Sequence, residues 1–283
     1  RIGVDVQISA GEAISYLFNE EVGFVIQVAR KESEKIIKQC PVEATLIGRL
    51  REDEQGRVFN DNQELFCSDR AVLQPLWAMT SYKMQSLRDE ENCAREEHSL
   101  ITMGREDDPG LSYSVTFDVN EDICRPFIGG LERPKVAVLR EQGVNGHIEM
   151  AAAFERAGFD CVDVHMTDLS ESRRTLSEFD VLAACGGFSY GDVLGGGGGW
   201  AKSILFNSIL RDQFSEFFES DKLVLGVCNG CQMISQIKAI LPDSQNLPRF
   251  VRNRSEQFES RTVMVKVNTT KSPWLSGMEG SVL

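Results

Sequence analysis

Gly226-Val227-Cys228-Asn229-Gly230-Cys231-Gln232 sets a thiol between an apolar run, Leu223–Val227, and a segment with helical spacing. Glycines stand two positions before and two positions after Cys228. That is the spacing of a nucleophile elbow, a sharp strand-to-helix turn that pushes the reactive atom out of a sheet. Only small neighbours let the backbone turn so tightly and let a substrate approach. A helix N-terminus carries partial positive charge and favours a thiolate, the attacking form of a cysteine. The amide N–H groups just after such a cysteine would hold the oxyanion formed when sulfur attacks a carbonyl. The arrangement suits acyl transfer from an amide through a thioester. Two other readings stay open on the pattern alone: a thiol buried and inert at the junction, and Cys228-x-x-Cys231 as a redox or metal pair. Against the metal reading, no second Cys or His pair lies nearby to complete a zinc site, and no metal site is expected in this chain.

A second stretch, Cys185-Gly186-Gly187-Phe188-Ser189-Tyr190-Gly191-Asp192, follows the apolar run Val181–Ala184. A glycine pair there lets backbone N–H groups approach a ligand, although a bare tight turn needs the same residues. Residues Gly195–Gly199 lack the Lys-Ser or Lys-Thr of a phosphate-binding P-loop and do not follow a strand directly. They read as a flexible approach to a helix beginning near Trp200.

The elements that must position these residues follow from periodicity. After Pro134, Lys135–Leu139 is a short apolar strand, and the loop Arg140–Gly146 leads to a helix ending at Gly158. Cys161–His165, Val181–Ala184 and Leu223–Val227 are three more strands, with a helix near 200–219 before the last. The helix after Cys228 turns Met233, Ile234, Ile237 and Leu241 inward. Short buried strands alternating with helices predict a parallel, doubly wound sheet. Such sheets bind ligands at the carboxyl ends of their strands, where Cys228 and the glycine pair both fall.

The earlier half differs. The alternation of Ile2, Val4, Val6 and Ile8 predicts a strand within Arg1–Ala10. Helices are predicted over 11–19, with Ile14, Leu17 and Phe18 on one face, and over 31–39. Strands are predicted at Phe24–Ala29, Val42–Leu50 and Arg57–Phe59, the last after a turn at Glu52–Gly56. Residues 1–66 thus form an α+β layer. Residues 68–97 are the longest helical candidate, with Ser68 and Asp69 as caps, a stripe of Leu73, Leu76, Trp77, Thr80, Met84 and Leu87, and Pro75 near its start. Residues 98–133 read as a linker with one short strand, Ser112–Phe117, and a turn at Asp107–Gly110. The expected domains are 1–66, 67–133 and 134–283.

The 283 residues carry a formal net charge of −13, with 42% hydrophobic and 26% charged residues. That excess of acid argues against a nucleic-acid partner, which needs clustered Lys and Arg. No apolar run approaches the roughly 20 residues of a membrane-spanning helix, so no membrane partner is expected. The eight cysteines show no regular framework, as suits reduced thiols in a cytoplasmic protein.

The motif Gly226–Gln232 is similar to the G-[IV]-C-x-G-x-Q elbow of the class I, triad-type glutamine amidotransferases. Narrower stretches resemble one branch, the long single-chain formylglycinamide ribonucleotide amidotransferases: RPKVAVLREQGVNGH from Arg133, CGGFSYGDVLG from Cys185, GWAKSILFN from Gly199 and PRFVRNRSEQFESR from Pro248. Upstream, LFNEEVG from Leu17 resembles the L-F-x-E-E-x-G of that family's second synthetase half, and the Trp77 helix and the Asp108-Pro109-Gly110 turn resemble its connection to the glutaminase. The resemblance implies a flavodoxin-like α/β glutaminase preceded by an α+β remnant of the synthetase C-terminal domain. It implies glutamine hydrolysis at Cys228 through a thioester, with the N–H groups of Gly187 and Asn229 as the oxyanion hole and Gln232 helping to seat glutamine. Ammonia would pass to the synthetase part of the same polypeptide, where ATP and Mg2+, bound mostly outside this segment, activate formylglycinamide ribonucleotide for conversion to the amidine in purine synthesis. Asn253 and Arg261 fall in a matching stretch, but the resemblance gives them no role here.

The chain departs from the pattern at two places. Gly196 stands where the family usually has Ala, a change expected to loosen a loop. The class also needs a His, with a Glu two positions later, downstream of the nucleophile. The three histidines, His98, His147 and His165, all precede Cys228. The expectation is therefore a fragment cut at both ends, inactive by itself. His165, at the end of a strand on the same rim, is the candidate for a substitute base, while His147 starts a helix and would serve locally. Another cysteine hydrolase on the same scaffold, or a non-catalytic regulatory module, are the alternative functions.

Overall fold

The computed structural model describes residues 2–8, 13–104, 107–130 and 132–283, which fall into two compact units. One runs to Phe117 and includes Arg252–Leu283; the other is Asp118–Val251.

In the first unit, strand β1 (Gly3–Ile8) is followed by helices α1 (Ala13–Leu17) and α2 (Ser33–Gln39). Three strands come next: β2 (Gly48–Arg51), β3 (Gln55–Asn60) and β4 (Gln63–Asp69). They form a sheet in the order β2-β1-β3-β4, with β1 and β3 parallel and both outer pairs antiparallel. The ends of the first predicted strand and the start of the 11–19 helix lie outside the described residues. Four expectations need correction. Phe24–Ala29 forms no strand: Phe24 and Val25 are almost fully exposed, and β-propensity without a neighbouring ladder does not make a strand. Of Val42–Leu50 only the end, from Gly48, is paired. β4 was not anticipated, because its residues are nearly all exposed and lack clean alternation.

The fourth correction concerns the long helix, which is two: α3 (Arg70–Arg88) and α4 (Glu91–Leu100). The break has a local cause. The Asp89 N–H still bonds the Gln85 carbonyl at 2.7 Å, but the Glu90 carboxylate accepts the Cys93 N–H at 2.8 Å and so starts a new helix. Ser68 lies in β4, and Asp69 occupies the N-cap of α3 without a side-chain cap bond. The expected apolar stripe of α3 faces outward within this unit, with Trp77 86% exposed. The expected strand Ser112–Phe117 gives only an isolated bridge, Ser114 pairing with Val282, which Lys266 also meets.

The second unit is where the sequence pattern and the structure coincide closely. Strands β5 (Lys135–Arg140), β6 (Asp160–His165), β7 (Val181–Ala184) and β8 (Leu223–Gly226) form an all-parallel sheet in the order β6-β5-β7-β8. The chain turns outward in both directions from β5 and β7, and that point of divergence is where ligands bind in open α/β sheets. Every residue of β7 is buried, as a strand covered on both faces must be. The helices are α5 (His147–Arg156), α6 (Met166–Ser170), α7 (Gly198–Phe206), α8 (Ser208–Glu219) and α9 (Asn229–Gln236). The anticipated 200–219 helix is divided at Asn207, whose side chain accepts the Ile209 and Leu210 N–H groups and caps α8. Leu139, Leu182, Trp200, Phe214, Met233 and Ile237 form the heart of one apolar core. Each such side chain contributes about 1.5–3 kcal/mol by leaving water. Among the described residues no helix is long and apolar enough to cross a membrane.

Candidate active site

β8 ends at Gly226, and the chain reverses into α9 within two residues. Cys228 is the N-cap of α9, with φ 51° and ψ −112°. A side chain at positive φ is strained, and such strain gathers at functional turns. One hydrogen bond ties the turn to β7, from the Val227 N–H to the Ala184 carbonyl at 3.0 Å, and two are local, from the Gly230 N–H to the Val227 carbonyl at 2.9 Å and from the Gln232 N–H to the Cys228 carbonyl at 3.0 Å. The flanking glycines make room for the turn. A β-carbon at Gly226 would lie 2.6 Å from Ile234 Cδ1, and one at Gly230 would collide with the Ala184 carbonyl. The result is an exposed thiol, not an entombed one.

The glycine loop comes off β7 beside it. Gly187, at φ 146°, packs its Cα where a β-carbon would meet Val144 Cα at 2.6 Å. Only glycine fits there. Asn145 donates to the Gly186 carbonyl at 3.2 Å and Phe188 to the Gly143 carbonyl at 2.8 Å. Those two bonds flank the Val144–Gly187 pair, so Gly187 occupies the position of that bridge whose N–H takes no ladder bond.

Asn229 does more than its backbone suggested. Its side chain is fully buried; Oδ1 accepts the Ser189 N–H at 3.1 Å, and Nδ2 donates to Asp192 Oδ1 at 2.9 Å and to Gln232 Oε1 at 3.3 Å. The Gln232 amide thus leans on Asn229 on one side and on Gly196 on the other, where a β-carbon would sit 2.5 Å from its Nε2. This corrects the picture of Gly195–Gly199 as a loose approach. Gly197, left-handed at φ 71°, caps α7 with its Cα pressed against the Met233 backbone, and Gln236 Nε2 donates to the Gly196 carbonyl at 2.7 Å. The run is a tight junction between α7 and α9.

Glu141, just past β5, was passed over in the sequence. Its carboxylate is buried and accepts the Gln142 N–H at 2.8 Å and the Tyr190 hydroxyl at 3.0 Å. Burial, then the nearby Glu141 charge, pushes the Tyr190 phenol above its ordinary range. An acid immediately after a buried strand was the available signal. His165 is otherwise engaged: Nδ1 meets Thr167 Oγ1 at 2.9 Å and Nε2 lies 3.7 Å from Glu141. Through Nδ1 it is the cap of α6, a structural task that accounts for its place at the end of β6. Cys185 is buried and its thiol is pushed up to about 12, and burial also raises Cys231, which speaks against a reactive 228–231 pair. The eight cysteines are free thiols. In the first unit Asn253 donates to the Gln257 carbonyl and Arg261 pairs with Glu259. Among the described residues no group of three or more His, Cys, Asp or Glu is arranged to hold a metal.

An exposed cysteine on a strained strand-to-helix elbow, at the carboxyl edge of a parallel sheet, defines the class: a doubly wound α/β protein that presents a thiol at the rim where such sheets bind ligands. A model of the CobB/CobQ-like glutamine amidotransferase domain matches residues 133–283, and the chain belongs to that family. It is also similar to a chain in the structure of PurLQS from Thermotoga maritima, at 23% identity and a TM-score of 0.43. That match covers 53% of this chain and 63% of the other, so the chain spans less than two thirds of that relative's length.

Proposed function

We propose that Cys228 hydrolyses glutamine and that the ammonia serves the conversion of formylglycinamide ribonucleotide to its amidine. The observation that carries the first half is the Cys228 elbow itself: an exposed sulfur at φ 51°, at the start of α9, in a family of glutamine amidotransferase domains. The sulfur attacks the side-chain carbonyl carbon of glutamine, and the Asn229 and Gly187 N–H groups receive the oxyanion. The C–N bond breaks, ammonia leaves with a proton, and water releases glutamate from the thioester. Gln232 borders the place where glutamine would sit. The acid–base step is assigned to no residue of this site; His165 turns Nδ1 to the start of α6, where it meets Thr167.

The ribonucleotide half rests on the narrow motifs beginning at Arg133, Cys185, Gly199 and Pro248. ATP with magnesium would activate the amide oxygen of the ribonucleotide in the synthetase portion of the protein. No residue here is assigned to hold either. The test is labelling by a chloroketone analogue of glutamine, located by peptide mass, with Cys228→Ser as control. Selective labelling of Cys228, suppressed by glutamine and absent in the variant, is expected. Labelling that glutamine does not compete, or that persists in Cys228→Ser, would overturn the reading.

A further inference from the structure

We infer that the Asn229 side chain is a positioning residue that locks the glycine loop onto the elbow, holding the two proposed oxyanion donors in one geometry. The inference rests on the amide-attack reading above. The two donors belong to different elements, the Asn229 N–H to α9 and the Gly187 N–H to the loop after β7. Donors that stabilise a developing charge must be set before reaction, since a displacement of about 1 Å costs on the order of 100-fold in rate.

The loop has turn bonds of its own, such as the Gly191 N–H to the Phe188 carbonyl at 2.9 Å, and ties to the loop after β5, but these leave a strained stretch facing the elbow. Tyr190, Gly191 and Asp192 follow one another at φ 54°, 61° and 53°, and two of the three are not glycine. Consecutive left-handed residues persist only where surroundings over-determine them. Asn229 supplies that hold from the nucleophile side. Ser189 presents an N–H, which only donates, so the atom facing it is Oδ1; Nδ2 then faces the oxygens of Asp192 and Gln232. One fully buried amide therefore reaches the loop at two points and the glutamine-seating residue at a third. Neither an aspartate nor a small apolar residue satisfies all three.

The polarity of the Asn229–Asp192 bond makes the test specific. Asn229→Asp keeps the acceptor for Ser189 but sets carboxylate against carboxylate at Asp192. Combining it with Asp192→Asn reverses donor and acceptor and restores that bond, while the Gln232 amide, turned over, donates Nε2 to the new carboxylate. Each variant is made in the full-length protein and treated with the chloroketone analogue of glutamine and, separately, with iodoacetamide, following Cys228 by peptide mass. Iodoacetamide reports thiol access without needing the oxyanion donors. Asn229→Asp is expected to slow the chloroketone at least about tenfold, and iodoacetamide less than about threefold. The double variant should recover to within about threefold of the parent. Parent-like chloroketone labelling in Asn229→Asp, or no recovery in a double variant that melts like the parent, would overturn the inference alone. A parent whose chloroketone labelling glutamine cannot suppress would remove the glutaminase reading and this inference with it.

Discussion

Gly186 lies so close to Cys228 that a β-carbon on it would stand 3.2 Å from the cysteine Cβ and 3.8 Å from Sγ. The loop backbone is thus one wall of the space around the sulfur. Gly186→Ala needs no unusual backbone angle, so its effect should fall on access rather than on folding. Alkylation of Cys228 is expected to slow about tenfold, with stability changed by less than about 1–2 kcal/mol. Parallel thiol-labelling kinetics and urea melts check this; a large loss of stability with unchanged labelling would contradict it.

Two other glycines make an opposed pair. At Gly230 the obstacle is the Ala184 carbonyl, fixed in the central strand β7, and the backbone cannot yield. At Gly196 the obstacle is the end of the Gln232 side chain, which can rotate. Gly230→Ala should therefore destabilise by about 3 kcal/mol or more, and Gly196→Ala by well under about 1.5 kcal/mol, in chemical denaturation. Alanine at 196, the residue the family usually carries there, should shift the Gln232 amide without abolishing glutamine-protected labelling of Cys228.

Tyr190 ties the same loop to β5 through the buried Glu141 carboxylate. Tyr190→Phe removes a hydrogen bond to that buried acid and is expected to cost about 1–2 kcal/mol at neutral pH. The sign with pH follows from the raised phenol. A group whose folded value lies above its unfolded value of about 10 stabilises fully below that pH and loses the contribution as pH rises through the folded value. The stability gap between parent and variant should hold up to about pH 10 and then close in alkaline urea melts. A gap that widened there would contradict the assignment.

The second unit was legible because its signals agree. β7 is apolar throughout, the elbow glycines have no alternative, and Gly158 ends α5 where the pattern stops. The first unit was less so, because many of its apolar residues are not buried within it: Phe24, Trp77 and Leu87 carry sequence signals of burial and stand in the open. Periodicity reports a buried face only where one exists. At the candidate site, the elbow position of Cys228 and the strand-end positions of Gly187 and Asn229 could be read from spacing. The Asn229 side chain, Asp192 and Glu141 could not, because their partners lie 37 to 49 residues away along the chain. Gly195–Gly199 misled for the same reason: a glycine run states that space is short, not whether a neighbour fills it.

His165 offers a last check on the difference between a base and a cap. Its backbone N–H donates to Asp168 Oδ2 at 3.0 Å, while its ring accepts the Thr167 N–H at 3.2 Å, closing a capping box at the start of α6. The hydrogen bond from Arg173, then that from the His165 backbone, holds the Asp168 carboxyl below its ordinary range. A lowered carboxylate stabilises the fold above its unfolded value, near 3.9, and the contribution is lost as pH falls through the folded value. Asp168→Ala should therefore cost about 1 kcal/mol at pH 7 and progressively less as the pH falls through the folded value. His165→Asn, which keeps a short side-chain acceptor for capping, should stay within about 1 kcal/mol of the parent and leave Cys228 labelling by the chloroketone within about threefold. A hundredfold loss of labelling in that variant would instead make the imidazole a participant in the chemistry, since general-base removal costs about 10²–10⁴-fold.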